Sequence, residues 1–270
     1  MSLRFLGEDV VSRRVRQRRF DVDCDGRIVP GNLWTPTDDG DDNGDGDGGR
    51  SPRPLVLIGH GAGTSKSEPY VVSLARRFVR HHGYAAAAVD GPLHGDRRDD
   101  GGGFAISFVE FGQAWANEPD LIDESVAEWT AALDALAALP DVGAGPVGYW
   151  GVSMGTAIGV PFVAQQPKIT CAVFGLAGLR PNAADFEAAA KAIIIPVEFV
   201  FQWEDAVAPR ETGLALFNAF GSAEKTMHIN PGGHMDIPGF EGASWERFYV
   251  RHLGAADAPA KAKQAVAAAG

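Results

Sequence analysis

A short apolar run, Val147-Gly148-Tyr149-Trp150, enters Gly151-Val152-Ser153-Met154-Gly155 and leaves through Thr156-Ala157-Ile158-Gly159. A strand, a G-x-S-x-G turn and a helix in that order leave few folds open, because the turn is too tight for side chains beside the serine. Such a turn strains the serine backbone and lifts its hydroxyl above the sheet edge. It also aims the next amide, that of Met154, at the same point. The bare pattern occurs as a glycine-rich turn in unrelated α/β proteins, so the rest of the chain must decide what Ser153 does.

Residues 55–58, 84–89, 169–176, 197–201 and 225–229 read as strands, most of them continuously apolar, as suits a sheet covered on both faces. Helical periodicity lies between them. Val71, Leu74, Ala75, Phe78 and Val79 share a face that Gly83 closes; Ile122, Val126, Trp129, Leu133 and Leu136 repeat after a capping Asp120 and stop before Pro140. Residues 209–220 and 241–253 read as two further helices. Near the N-terminus, residues 19–24, an Asp25-Gly26 turn and a return over 27–34 predict a hairpin. The expected fold is α/β: a mostly parallel sheet with an N-terminal antiparallel hairpin and helices on both faces. A chain of 270 residues can form one such domain, over 1–254, with a flexible alanine-rich tail at 255–270.

Two stretches break the pattern. Residues 37–50 are almost all Asp, Gly and Asn, too polar to order themselves, and are expected to be a disordered loop. They begin like a calcium loop, Asp41-x-Asn43-x-Asp45-Gly46, but Pro52 stands where the bidentate Glu is needed. Residues 96–119 carry Phe104, Phe108, Phe111 and Trp115 without a strand, and read either as a lid or pocket wall or as an aromatic cover on the core.

The net charge of −11 argues against nucleic acid and anionic membranes as partners, although six of the aspartates fall between Asp38 and Asp47. No apolar run reaches membrane-spanning length, and the N-terminus lacks the apolar core of a secretory signal. Cys24 and Cys171 match no zinc or redox spacing and read as free thiols in a reducing, cytoplasmic setting. Gly59-His60-Gly61-Ala62-Gly63 fits neither a dinucleotide-binding nor a P-loop pattern, since Thr64 and Ser65 stand where glycines are required.

A serine hydroxyl needs a base to take its proton, and the base needs an acid to orient it. With Ser153 as nucleophile, the hydrolase chain order places the acid next and the histidine last. Of the histidines that follow, His228 lies inside a strand, His252 near a helix end, and His234 in the Gly232-Gly233 loop beyond the last strand. The strand at 197–201 runs into Glu204 and Asp205; Asp205 opens the turn toward Pro209, so it is the favoured acid. The backbone amides of Gly59 to Gly63 can join that of Met154 around an oxyanion.

His60-Gly61-Ala62-Gly63, Asp90-Gly91-Pro92-Leu93-His94-Gly95, Gly151-Val152-Ser153-Met154-Gly155, Trp203-Glu204-Asp205-Ala206-Val207-Ala208-Pro209 and Gly232-Gly233-His234 together resemble the α/β-hydrolase superfamily, nearest its dienelactone-hydrolase-like and small serine carboxylesterase branches. The resemblance spans residues 55–253. It implies a Ser153–Asp205–His234 triad, oxyanion amides at Ala62 and Met154, and ester hydrolysis without cofactor or metal. Dienelactone hydrolases proper carry cysteine, and dehalogenases aspartate, where this chain has Ser153. A thioesterase, lactonase or acyl transferase would use the same residues, and some members of the fold bind ligands without turnover. Phe104, Phe108, Phe111, Trp115 and Trp203 are expected to wall an apolar pocket. With no basic cluster beside it, the pocket would take neutral small-molecule esters with small or medium acyl groups.

Overall fold

The computed structural model describes residues 2–37, 52–98, 104–179 and 183–254. The Asp/Gly-rich segment from residue 38, expected to be disordered, and the tail from residue 255, expected to be flexible, lie outside them. Three antiparallel strands lead: β1 (Leu3–Ser12), β2 (Val15–Cys24) and β3 (Arg27–Pro36). β2 and β3 form the expected hairpin, turning at Asp25 and Gly26, both at positive φ. β1 was not expected. It is a sheet-edge strand with most side chains in water, so no apolar alternation marks it in the sequence.

The expected buried strands follow as β4 (Leu55–Gly59), β5 (Ala85–Val89), β6 (Val147–Val152), β7 (Ile169–Gly175), β8 (Val197–Gln202) and β9 (Lys225–Asn230). They complete a nine-stranded sheet in the order β1-β2-β3-β5-β4-β6-β7-β8-β9, parallel from β5 to β9. The apolar runs resolve into period-two faces. Leu55 and Leu57 of β4 join one core cluster, while Val56 and Ile58 join the other. Full burial of each such side chain is worth about 1.5–3 kcal/mol, so a one-residue slip of register exchanges two well-filled faces at once.

α1 (Pro69–His82) and α7 (Glu241–Leu253) contribute to one cluster. α2 (Phe104–Asn117), α3 (Leu121–Ala137), α4 (Met154–Gln165), α5 (Ala184–Ala192) and α6 (Arg210–Ala219) contribute to or pack on the other. α1 buries the five residues expected of it and ends at Gly83, whose φ of 68° takes the left-handed cap. The aromatic stretch after residue 96, read as a lid or pocket wall or as a cover on the core, is built on a helix, α2, along which Phe104, Phe108, Phe111 and Trp115 recur at intervals of four, three and four. One expectation is corrected. Asp120 precedes α3 as expected but has helical φ and ψ and makes no side-chain cap.

The strand-end loops are anchored to each other. The fully buried Asp90 accepts from the Lys66 N–H, the Lys66 ammonium (2.6 Å) and the Asp96 N–H. Lys66, equally buried, reaches on to Asp96 at 2.8 Å. Removing one partner of such a pair costs about 3–5 kcal/mol, which makes the loops after β4 and β5 one rigid block.

Candidate active site

The block faces the end of β6. Ser153 sits between β6 and α4 at φ 56° and ψ −117°, a strained backbone for a residue with a Cβ. Its flanking glycines are required by close approach: a Cβ on Gly155 would lie 2.2 Å from the Gly59 carbonyl oxygen, and one on Gly151 2.6 Å from that of Gly155. The turn is held from below. Ser153 N–H donates to the Gly175 carbonyl of β7, and the buried Thr156 hydroxyl lies 2.8 and 2.6 Å from the Gly151 and Gly175 carbonyl oxygens while accepting the Gly175 N–H. Sequence reasoning gave Thr156 no role; its place in the first turn of α4 is what brings it under the elbow.

Asp205 and His234 come from the next strand ends. The loop after β8 turns on Asp205, whose Oδ1 accepts the Val207 and Ala208 N–H groups at 2.8 and 2.9 Å. Its Oδ2 lies 2.7 Å from His234 Nδ1, and His234 Nε2 lies 3.0 Å from Ser153 Oγ. Burial alone would raise the Asp205 carboxyl, but the hydrogen bonds from His234, Ala208 and Val207 outweigh it and hold the group below the usual carboxylate range. The adjacent Glu204 points away and accepts the Gly232 N–H, while Glu204 N–H donates to the Gly232 carbonyl. Glu204 thus splices the acid loop to the histidine loop. The far side of that loop is pinned by Asp236, which accepts from Gly233 at 2.7 Å.

Around Ser153 the amides divide by use. In the loop after β4, Gly61 N–H donates to the Tyr70 hydroxyl and Gly63 N–H to His94 Nε2, both at 2.8 Å. The intervening Ala62 amide has no acceptor among the described residues, and Ala62 lines the cavity at Ser153. Met154 is the first residue of α4, where a helix supplies no acceptor for its own N–H.

Two cavities meet at Ser153. One, of about 590 Å³, is lined by Ala62, Met154, Phe108, Phe111 and Trp115 together with parts of α4 and α5. It holds Asp123 and Asp185 but no cation among its described lining residues. The other, of about 320 Å³, lies on the His234 side against α1 and α7. Phe108 borders both. The Phe104 side chain lies outside the described residues. Trp203 is corrected: it lines neither cavity and stands half in water, with the Arg210 guanidinium 4.1 Å from its ring centre. Among the described residues, His81–His82–Glu246 and Glu198–His228–Glu241 are close enough to share a metal ion, and neither group includes a residue of the Ser153 site.

A mostly parallel sheet with a serine at a strained strand–helix turn, and a carboxylate and an imidazole on the two following strand-end loops, defines an α/β-hydrolase architecture. No protein-family model and no curated protein matches the chain. Solved structures do. A PEG-bound cold-adapted esterase from an Arctic intertidal metagenomic library is 34% identical, with a TM-score of 0.79 over 94% of this chain and 100% of that one. A dienelactone hydrolase from Anabaena variabilis (20% identity, TM-score 0.65, 89% and 100% covered) and an acetyl xylan esterase from Paenibacillus sp. R4 (16%, 0.66, 93% and 88%) share the fold. The chain belongs to the α/β-hydrolase superfamily.

Proposed function

We propose that the protein is a serine carboxylesterase acting on neutral small-molecule esters through an acyl-enzyme. The observation that carries this is the unbroken chain from Ser153 Oγ through His234 to Asp205, at 3.0 and 2.7 Å. In this reading Ser153 attacks the ester carbonyl as His234 Nε2 takes its proton, and Asp205 holds the imidazole with Nδ1–H toward itself. The Ala62 and Met154 amides receive the oxyanion. Collapse of the tetrahedral intermediate sends the Nε2 proton to the departing alcohol. Water, activated by the same imidazole, then releases the acid and restores Ser153.

The sidedness of the cavities supports an assignment of the two halves of the ester. The leaving oxygen must meet His234, which borders only the smaller cavity, so the alcohol lies there and the acyl group in the larger one. The absence of a cation among the larger cavity's described lining residues favours an uncharged acyl group. The esterase relative agrees with the reaction class. The two buried free cysteines suit a reducing compartment such as the cytoplasm. The test is labelling by a fluorophosphonate, which only an activated serine attacks. Wild type should label stoichiometrically at Ser153 with loss of esterase activity, and Ser153→Ala should fold, resist label and lose turnover. An unlabelled wild type would favour the ligand-binding reading of the fold.

A further inference from the structure

Two buried histidines lie outside the triad, and each belongs to one of the strand-end loops beside Ser153. His60 is on the loop after β4, with Nδ1 2.9 Å from the Gly61 carbonyl oxygen and Nε2 accepting the Gly91 N–H of the loop after β5, also at 2.9 Å. His94 is on that second loop, with Nδ1 2.6 Å from the Pro92 carbonyl oxygen and Nε2 accepting the Gly63 N–H of the first loop at 2.8 Å. The bonds are reciprocal: each loop lends an imidazole to a glycine amide of the other. Donation from two glycine amides fixes both rings in the Nδ1–H form, because an acceptor nitrogen cannot carry a proton.

The bonds fall around the oxyanion donors. Gly61 and Gly63 N–H are turned inward onto Tyr70 and His94, which leaves Ala62 N–H between them as the amide free to face Ser153. Gly91, whose amide His60 accepts, packs so closely on the Met154 side chain that a Cβ there would lie 2.6 Å from the Met154 methyl carbon. The two loops that carry the clamp therefore contact both residues whose amides face the oxyanion.

We infer that His60 and His94 are positioning residues for the oxyanion site: as neutral acceptors they lock the two loops together and hold the Ala62 amide on its target. This rests on the serine esterase reading above. The surroundings suit the neutral state. Burial lowers His60 to about 4, against its hydrogen bond to Gly61 and the Asp90 carboxylate, with His94 and Lys66 adding to the lowering. Burial also lowers His94, against Pro92 and Asp90, with Arg98 and Arg97 adding to it.

The test separates the two halves of the His94 ring. A glutamine amide reaches as far as Nε2 and can accept from Gly63, whereas an asparagine amide reaches only as far as Nδ1 and can donate to Pro92. Loss of an oxyanion donor costs about 10²–10³ in kcat, and a donor left to drift should cost somewhat less. His94→Asn should therefore lower kcat about 30–100-fold with KM nearly unchanged, and weaken a trifluoromethyl ketone by a similar factor. The ketone's adduct places its oxyanion in the same site. His94→Gln should stay within about tenfold of wild type in both.

Equal damage from the two changes, or the reverse ranking, would make His94 a packing residue only and overturn the inference. If neither variant folds, ¹⁵N spectra of wild type decide. Both rings should show the Nδ1–H form from pH 6 to 8, and an Nε2–H or doubly protonated ring at pH 7 would overturn it. Fluorophosphonate labelling of wild type is run alongside. Its failure would remove the esterase reading itself, whatever His94 does.

Discussion

Asp205→Asn is the sharpest test of the proposed chemistry, because the structure dictates how the new amide must sit. Asp205 Oδ1 accepts two backbone N–H groups, from Val207 and Ala208, and Oδ2 faces His234 Nδ1. An asparagine can satisfy the two amides only with its oxygen, so its NH₂ is forced to face Nδ1. The flipped amide would set NH₂ against two N–H groups in a fully buried position, which costs about 1–3 kcal/mol for each unmet group. With NH₂ donating to Nδ1, the imidazole proton moves to Nε2, and the lone pair that should take the Ser153 proton is gone. The expected loss is about 10⁴ in kcat, or about 5 kcal/mol of barrier, with KM close to wild type.

The substrate for this assay should be an alkyl ester, whose alkoxide cannot leave without the proton from His234; a nitrophenyl ester would hide that half of the reaction. Glu204→Gln is the control. It keeps an acceptor for Gly232 N–H and should cost less than tenfold. Activity of Asp205→Asn within tenfold of wild type, or greater damage from Glu204→Gln, would refute the assignment of the acid.

Acid should weaken the fold through the buried histidines. His60 titrates near 4 in the folded chain and near 6.5 in the unfolded one, so the unfolded state takes the proton first and stability falls as pH drops through that window. The loss by pH 4 is about 3 kcal/mol, or roughly 6–12 °C in melting temperature, and calorimetry of His60→Gln against wild type should show it diminished; equal pH dependence in both would place the acid sensitivity elsewhere. The proposed acyl cavity should also respond to its aromatic wall. Across acetyl to dodecanoyl esters, Trp115→Ala should move the kcat/KM optimum toward longer chains, with each methylene that fits worth at most about 1–3 kcal/mol. An unchanged profile would move the acyl group out of that cavity.

What could be read from the sequence followed from burial and chain order. Strands covered on both faces must be apolar along their whole length, so β4 to β8 announce themselves, and a hydrolase order of nucleophile, acid and base singles out Asp205 and His234 as the candidate acid and base from their place after β8 and β9. β1 left no such trace because an edge strand in water has no face to hide. α2 did leave one, in the 104, 108, 111, 115 spacing, but glycines before it and few charges within it made the stretch look irregular. Trp203 was misplaced because nearness to Asp205 along the chain says nothing about which side of a turn a side chain leaves; here it leaves toward Arg210 and solvent. The positioning groups were the least legible. His60 and His94 are 34 residues apart, and nothing local in the sequence distinguishes a histidine that accepts from a glycine amide of another loop from one that faces water. Their pairing exists only because β4 and β5 are parallel neighbours whose ends lie side by side. A motif can name the group that attacks, but the groups that aim it are set by sheet order.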